Sequence, residues 1–471
     1  MNKHKILVLL LAIILLSSTN TAFSAEAKRD KNLMPVSAKL KGGIEDAKKN
    51  YINADWWDRF NDPILKEYVI QSTTANHDMK IASLRVLETT QLVRESLGKE
   101  LPSLGLGSME LSRKKTSNTV GMGSFYLPSY SQSTYTIPLS VNYELDLWRK
   151  NRQRTLQQAK ILEAVKFDEK ATYISLTTAV ASAYLNAISL DKQIELQKEI
   201  LKLREEIYEM TKANYEQGLL TAQDVITVDK ALTEGETVLT DLQKKHSVFL
   251  NQLAVLTGQS SDDSSSLKRG SIDSIELPEN IPSSIKSEIV QQRPDILKAE
   301  AEMQSAKINV ELARKDLLPS IALTGIFGFN TNNYSKIFSW DSYIVSGGLN
   351  MLGGIFTGGQ RNARLKAKKY QYEQMLESYQ NTILTAFQEV NDALASLKYG
   401  IQKDENNKKR LRAEQNNFDL IEDKYKRGAI SYLDTLQYKE RVLSLEREKI
   451  QSKTECLVDA LSLYKAVGGQ L

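Results

Sequence analysis

The stretch Thr134-Tyr-Thr-Ile-Pro-Leu-Ser-Val-Asn-Tyr-Glu-Leu-Asp146 decides how the rest of the chain is read. Its odd positions, Tyr135, Ile137, Leu139, Val141, Tyr143 and Leu145, are all apolar, and its even positions are polar apart from Pro138. Successive side chains of a strand point to opposite faces, so strict period two predicts a strand with one greasy and one wet face. Soluble strands usually stop after about five or six residues, whereas a tilted bilayer-spanning strand needs about 9–11. Tyr135 and Tyr143, near the two ends, suit the two aromatic girdles of a membrane barrel. A long edge strand of a soluble sandwich carries the same alternation, so this stretch alone leaves both readings open.

Moving towards the N-terminus, Thr116 to Ser133 is a loop rich in Ser, Gly and Tyr. Before it, Leu101-Pro-Ser-Leu-Gly-Leu-Gly107 opens a weaker strand to about Arg113, and its apolar parity slips between Leu106 and Met109. One extra residue in a strand produces such a slip, so a bulge is expected there. Asp55-Trp-Trp-Asp-Arg-Phe-Asn-Asp-Pro63 leads into a helical stretch from Ile64 to about Lys99, and Ala25 to about Ile52 is polar and extended. The first 24 residues read as a secretory signal: Lys3 and Lys5, an apolar run from Ile6 to Leu16, and the small-x-small site Ala22-Phe-Ser24. That run is too short to cross a bilayer as a helix, which needs about 20 residues. No Cys lies near the cleavage site, so no lipid anchor is expected there.

Towards the C-terminus the period changes. Val180, Ala187, Ile194, Leu201, Tyr208 and Tyr215 recur every seven residues, with Leu176, Ala183 and Leu190 as a second seam. A strict heptad imposes a left-handed supercoil. No Pro interrupts Trp148 to Gln217, so a helix of roughly 65 residues, about 100 Å long, is predicted, closed by Gly218. A second helix runs from about Ala222 to Thr257 and stops at Gly258. Residues 259–287 form a polar linker, opening Gln259-Ser-Ser-Asp-Asp-Ser-Ser-Ser266. The pattern then repeats. Arg293-Pro-Asp-Ile296 opens a helix to about Lys315, with Pro294 suited to its first turn. Leu318-Pro-Ser-Ile-Ala-Leu-Thr-Gly325 echoes Leu101 to Gly107, and strands at Ile321–Phe329 and Tyr343–Leu352 flank a loop. A long helix from about Gln360 to Lys426 ends at Gly428, and its partner runs from Tyr432 to Ala466. Tyr215-Glu-Gln-Gly218 matches Tyr425-Lys-Arg-Gly428, and Asp224 matches Asp434. The chain therefore reads as two structural repeats, 25–258 and 288–471, with a period near 210 residues.

Composition narrows the function. With 62 basic and 58 acidic residues, no nucleic-acid partner is implied. The single Cys456 has no partner for an internal disulfide, and His4, His77 and His246 are scattered without metal-ligand spacing. There is no Gly-rich phosphate loop. Neither an enzyme, a cofactor nor a metal site is expected. Each half carries one strand pair and one long helical hairpin. Four strands cannot close a barrel, and open edges are not tolerated in lipid, so copies of the chain must pool their strands. Eight strands leave an interior filled by side chains, so a conduit favours three copies and twelve strands.

Trp56-Trp-x-x-Phe60-x-Asp62-Pro63, Tyr143-Glu-Leu-Asp-Leu-Trp148, Arg293-Pro-Asp295 with Ala299-Glu300, Leu318-Pro-Ser320 and Phe356-x-Gly-Gly359 together resemble the TolC-like outer-membrane efflux proteins. The likeness is to their NodT-type subgroup, which serves resistance-nodulation-division pumps. The resemblance implies a homotrimeric, twelve-stranded outer-membrane β-barrel continued by a long periplasmic α-helical barrel. It implies a passive duct, seated in outer-membrane lipid, that receives substrates from a periplasmic adaptor and an inner-membrane pump. Type I protein secretion would use the same fold with another pump. A soluble periplasmic coiled-coil adaptor is the reading from a different class, and the long amphipathic strand counts against it. Arg149 stands where the family usually has Gly after the Trp, which leaves the local turn open.

Thr221-x-x-Asp224 and Ser431-x-x-Asp434 fit capping boxes, in which the carboxylate satisfies a helix start. The resemblance adds a gate role: acidic residues at the second position line the family's periplasmic aperture, and Tyr425 matches a tyrosine that helps tie it shut. The family's Arg five residues after that Tyr is absent, since Ile430 takes its place; Arg427 is the nearest substitute. Gly218-Leu219-Leu220 and Gly428-Ala429-Ile430 are apolar turns, read either as plain C-caps or, by the resemblance, as the adaptor-docking surface. Arg293, Pro294 and Asp295 are explained by a helix start, and Trp56 and Trp57 by packing.

Overall fold

A computed structural model describes residues 56–116, 130–278, 285–354 and 356–469. The signal segment, the stretch from Ala25 to about Ile52 predicted as extended, and most of the Ser/Gly/Tyr-rich loop lie outside the described residues. In order, a short 3-10 turn (Trp56–Phe60) is followed by α1 (Pro63–Ala75), α2 (His77–Gly98), β1 (Ser103–Leu106), β2 (Glu110–Thr116) and β3 (Tyr130–Leu145). Then come α3 (Lys150–Glu216), α4 (Ala222–Leu256), α5 (Ser287–Gln291), α6 (Pro294–Lys315), β4 (Ser320–Thr331), β5 (Tyr343–Leu352), α7 (Gln360–Lys426) and α8 (Tyr432–Ala466).

These elements form one wall. The antiparallel sheet runs β1-β3-β4-β5, and β2 extends β1 along the same edge of β3. Each strand column is joined through a short connection to a helix: α2 into β1, β3 into α3, α6 into β4, and β5 into α7. The helices keep the strand order, since α2 packs on α3, α3 on α6, and α6 on α7. Further from the sheet the order becomes α4-α3-α8-α7. The paired elements also match in length. α3 and α7 have 67 residues each, α4 and α8 have 35, and α2 and α6 have 22.

The bulge expected from the parity slip lies between β1 and β2. Leu106 faces Leu139 and Glu110 faces Thr136, so Gly107, Ser108 and Met109 oppose only Ile137 and Pro138. Pro138 supplies the reason. The Gly107 amide donates to the Pro138 carbonyl at 2.8 Å, so the proline nitrogen, which has no hydrogen, points to the same edge. A regular ladder would need a donor there, and the bulge removes that need. On the other edge Pro138 faces Gly328, where an added Cβ would lie 2.3 Å from the Ile137 carbonyl oxygen.

Both long helices are pinned at their starts. The Asp146 carboxylate accepts the amides of Lys150, Asn151 (3.1 Å) and Arg152 (3.0 Å), capping α3. The Trp148 indole donates to the Pro319 carbonyl at 2.8 Å, tying this corner to the start of β4. Arg149 holds φ +53°, the left-handed region that Gly359 occupies (φ +81°) ahead of α7. The local turn is thus the one a glycine would make, at a cost of roughly 1–2 kcal/mol for a residue with a Cβ.

Two sequence expectations shift. The predicted helix from Ile64 to Lys99 breaks at Asn76, whose Oδ1 caps α2 through Asp78 (2.8 Å) and Met79 (3.1 Å). The same side chain donates to the Leu256 carbonyl at 3.1 Å, satisfying the end of α4. The heptad seam holds for Leu176, Val180, Ala183, Ala187 and Leu190, all buried. Beyond them the buried line passes to Leu196, Ile200, Leu203 and Ile207, while Ile194, Leu201 and Tyr208 are half-buried and Tyr215 is exposed. A wall helix has a neighbour on each flank, α4 and α8 here, so its apolar residues divide between two seams. The most apolar 18-residue window of α3 is 78% buried within the protein, which accounts for its hydropathy without a membrane helix.

Trp56 and Trp57 are packing anchors: both are buried, and Trp56 lies on Tyr464 of α8 with ring centroids 4.8 Å apart. Arg293, buried at the start of α6, donates to the Ala466 carbonyl (2.7 Å) and pairs with Asp295 (2.6 Å) and Glu389 (2.5 Å). It satisfies an orphan carbonyl at the end of α8 while holding three helices together. Cys456 is buried, which pushes its thiol up to about 11 and leaves it unreactive.

The Gly328 contact is testable. Gly328→Ala is expected to destabilise the protein by about 1–3 kcal/mol, because the clash is with backbone that cannot swing aside. Gly347→Ala, whose nearest neighbour would be 3.8 Å away, should stay within about 0.5 kcal/mol of wild type. Thermal unfolding of the two detergent-solubilised variants compares them, and equal melting temperatures would discount the close approach.

Candidate conduit wall and periplasmic tips

The register assembles a single apolar face. Tyr135, Ile137, Leu139, Val141, Tyr143 and Leu145 share it with Phe329, Phe327, Leu323 and Ile321 of β4, and these with Tyr343, Val345, Leu349 and Met351 of β5. On the other side of β3, Leu104 and Leu106 join it, and the bulge returns Leu111 to the same face opposite Tyr135. Without the bulge, Leu111 would fall on the opposite side. Among the described residues nothing covers this face: Leu104 and Leu106 are 71% and 77% exposed, and Val345, Leu349 and Met351 about as much. A continuous exposed apolar surface of this extent marks a membrane or partner interface. The opposite face carries Ser140, Asn142, Thr324 and Asn350, and there Asn330 and Asn350 donate across strands to Thr136 and Thr324, each at 3.1 Å.

Aromatic residues gather at both ends of this face. At the loop end Phe338 and Trp340 stack edge-on against Phe329, at 5.8 and 6.4 Å, near Tyr135 and Tyr343. Tyr143 and Trp148 stand at the helix end. Amphipathic rings at two levels are what the two water interfaces of a bilayer select. The wall has two open edges: among the described residues β5 pairs only with β4, and β1 and β2 only with β3. The helical layer is open in the same places, because α7 lies at one side and α2 and α4 at the other.

At the far end of the helices both hairpin turns have the same construction. Gly218 (φ +75°) and Gly428 (φ +73°) close α3 and α7 in the left-handed conformation. The next amides, Leu219 and Ala429, reach back to Asn214 and Lys424 carbonyls at 2.9 Å, completing Schellman motifs. Leu219 is 69% exposed, Ala429 is exposed, and Leu220 and Ile430 are half-buried. Both capping boxes are present, Thr221 with Asp224 and Ser431 with Asp434. The Thr221 hydroxyl and amide hold the Asp224 carboxyl below its usual range. The Ser431 amide and hydroxyl both donate to Asp434 Oδ2, and the residue is exposed.

Tyr425 stacks on Tyr432 with centroids 5.5 Å apart, and the Tyr432 hydroxyl bonds Glu206 of α3. Arg427 pairs with Asp423 on its own helix at 2.7 Å rather than with Tyr425. Sequence reasoning missed the link between the hairpins. Arg204 pairs with Glu440 at 2.6 Å and donates to the Ala231 carbonyl. Gln197 donates to the Gly235 carbonyl at 2.9 Å and accepts from Arg447. An added Cβ on Gly235 would lie 2.8 Å from Leu201 and 3.1 Å from Arg204. The one signal was an isolated glycine inside a helical pattern.

An amphipathic sheet wall continued strand by strand into long helices defines a membrane-seated duct protein with a helical extension. The family model for outer membrane efflux proteins matches residues 70–259 and 285–469. The chain belongs to the outer membrane efflux protein family. It is 29% identical over 422 residues to the probable efflux pump outer membrane protein TtgC of Pseudomonas putida, covering 88% of this chain and 84% of that one. It is 26% identical over 465 residues to the cation efflux system protein CusC of Escherichia coli K12, covering 97% and 98%. In fold it matches the Campylobacter jejuni CmeC outer membrane channel with a TM-score of 0.80 at 22% identity, covering 89% of each chain. The chain is accordingly an outer-membrane efflux channel component.

The face assignment predicts a contrast. Leu139→Lys, near the middle of the apolar face, should cost about 2–4 kcal/mol, and Ser140→Lys on the opposite face much less. Yield in the outer-membrane fraction and resistance to thermal unfolding in detergent report it, and equal losses for the two variants would refute the assignment.

Proposed function

We propose that three copies close edge to edge into a twelve-strand barrel continued by a helical tunnel, forming a passive duct of a tripartite efflux system. The open edges carry this reading. They run the length of the wall, in strands and helices alike, and a strand edge cannot remain unpaired in hydrocarbon. The described residues of each chain offer four strand columns, β1 with β2, β3, β4 and β5, so two copies give eight and three give twelve. Eight columns leave an interior filled by side chains, and twelve leave a lumen. The matched element lengths and the two matched family segments support an internal duplication, 25–258 and 288–471 about residues 259–287. Partners are a periplasmic adaptor at the tips and an inner-membrane pump of the resistance-nodulation-division type, as in the NodT-type subgroup. The names of the relatives, which include cation, antibiotic, toluene and pyoverdine export, make small-molecule efflux the favoured role over protein secretion. Mass measurement in detergent tests the assembly: a trimer is expected, and a stable monomer or dimer would overturn it.

Docking is assigned to Gly218, Leu219, Leu220, Gly428, Ala429 and Ile430. The double variant Leu219→Asp/Ile430→Asp should abolish export with trimer and insertion intact, since a charge opposes burial of an apolar tip. Full export by a correctly inserted double variant would remove the tips from the interface.

The gate is assigned to Asp434 and Asp224 with Tyr425. In a trimer each Asp becomes a ring of three carboxylates at the narrow end, which draws cations and repels anions. Asp434→Asn should lower cation selectivity in planar bilayers and weaken block by multivalent cations, while stability changes little because Asn keeps part of the cap. If only the melting temperature moves and the reversal potential does not, Asp434 is a cap and nothing more.

A further inference from the structure

We propose that the junction between barrel and helices holds an oxyanion-binding collar on the pore side, an inference that rests on the duct reading. Lys150, Arg154, Arg361 and Arg364 converge there on a cavity of about 410 Å³, bounded by Asp316, Ser320 and Leu352. Ser320 and Leu352 are register partners on the even-numbered face, the one bearing Thr324 and Asn350, which places the opening on the polar side of the wall. Lys150 is neutralised by Asp316 at 2.5 Å. Arg154 donates to the neutral Asn151 Oδ1 at 2.6 Å, and Arg361 packs over Gly354. Among the described residues, no carboxylate pairs with Arg154, Arg361 or Arg364.

The start of α7 makes this arrangement unfavourable unless something anionic visits. α3 and α7 both begin here; the Asp146 carboxylate already caps α3, whereas α7 has neither a side-chain cap nor an acidic residue in its first turn. The partial positive charge of a helix start disfavours cations and favours anions. Arg361 and Arg364 are placed against that rule at the start of α7, with no carboxylate pairing with them among the described residues, and so point to a ligand rather than to stability. Guanidinium groups match carboxylate and phosphate oxygens in a bidentate fashion, and the three would recur around the pore in each copy. The ligand class is therefore a multivalent oxyanion, a carboxylate- or phosphate-bearing cargo held briefly below the barrel.

The test uses the full-length protein in planar bilayers of phosphatidylcholine, with citrate, then inorganic phosphate, added on the barrel side so that neither probe must cross the tips. Citrate should block the wild-type pore. Arg154→Gln/Arg361→Gln/Arg364→Gln should weaken that block by about tenfold or more and shift the reversal potential in a KCl gradient towards cations. The matching triple Lys variant keeps the charge but not the bidentate donors, so it should keep the KCl reversal potential and only part of the block, separating charge from any effect on folding. Stronger block by citrate than by phosphate would assign carboxylates, and the reverse would assign phosphates. A conducting wild type indifferent to both anions, or a Gln triple variant blocked as before, overturns the collar alone. If the Gln variant instead only loses co-purified phosphatidylglycerol, the cations face the bilayer and the collar falls. A wild type that never conducts removes the duct reading and the collar with it.

Discussion

Backbone hydrogen bonding in a medium without water is the constraint on which the rest of this structure depends. Each strand here must be paired on both edges once it sits in hydrocarbon, and among the described residues only the inner strands, β3 and β4, are. The order of the helices follows from that. Because each strand column runs into one helix, the sheet order β1-β3-β4-β5 is imposed on α2, α3, α6 and α7. Wherever the sheet must accept a neighbour, the helical layer must accept one too.

Within the chain, the wall is held by small polar devices at element ends rather than by one large core. Asn76 caps α2 and satisfies the Leu256 carbonyl of α4, and Arg293, at the start of α6, satisfies the Ala466 carbonyl of α8. Asp146 gathers three amides at the start of the longest kind of helix in the molecule. Such contacts act where a helix would otherwise leave four donors or acceptors unmet. The left-handed Arg149 shows the same corner from the other side: its strain is tolerated because Asp146, Trp148 and Lys315 hold the turn around it.

Charge is distributed along the wall in the sense a conduit requires. The apolar face carries no charged residue from Tyr135 to Leu145 or at its partners on β4 and β5, the junction is basic, and the tips present Asp224 and Asp434 beside apolar turns. Screening over about 8 Å at physiological salt keeps these zones independent, so each acts on what passes it locally.

Much of this was legible in the sequence. Period two in Tyr135 to Leu145, heptads after Trp148, glycines at 218 and 428 and the repeat of Thr221-x-x-Asp224 as Ser431-x-x-Asp434 are local patterns, and local patterns follow from backbone geometry alone. Even the bulge could be placed, because one extra residue inverts the parity of every side chain after it. The break at Asn76, the division of the α3 seam and the Arg204–Glu440 and Gln197–Arg447 links were not legible. Each depends on which helix lies alongside, separated by up to 250 residues of chain. A side chain's partner across that distance is decided by packing, which no short-range spacing encodes.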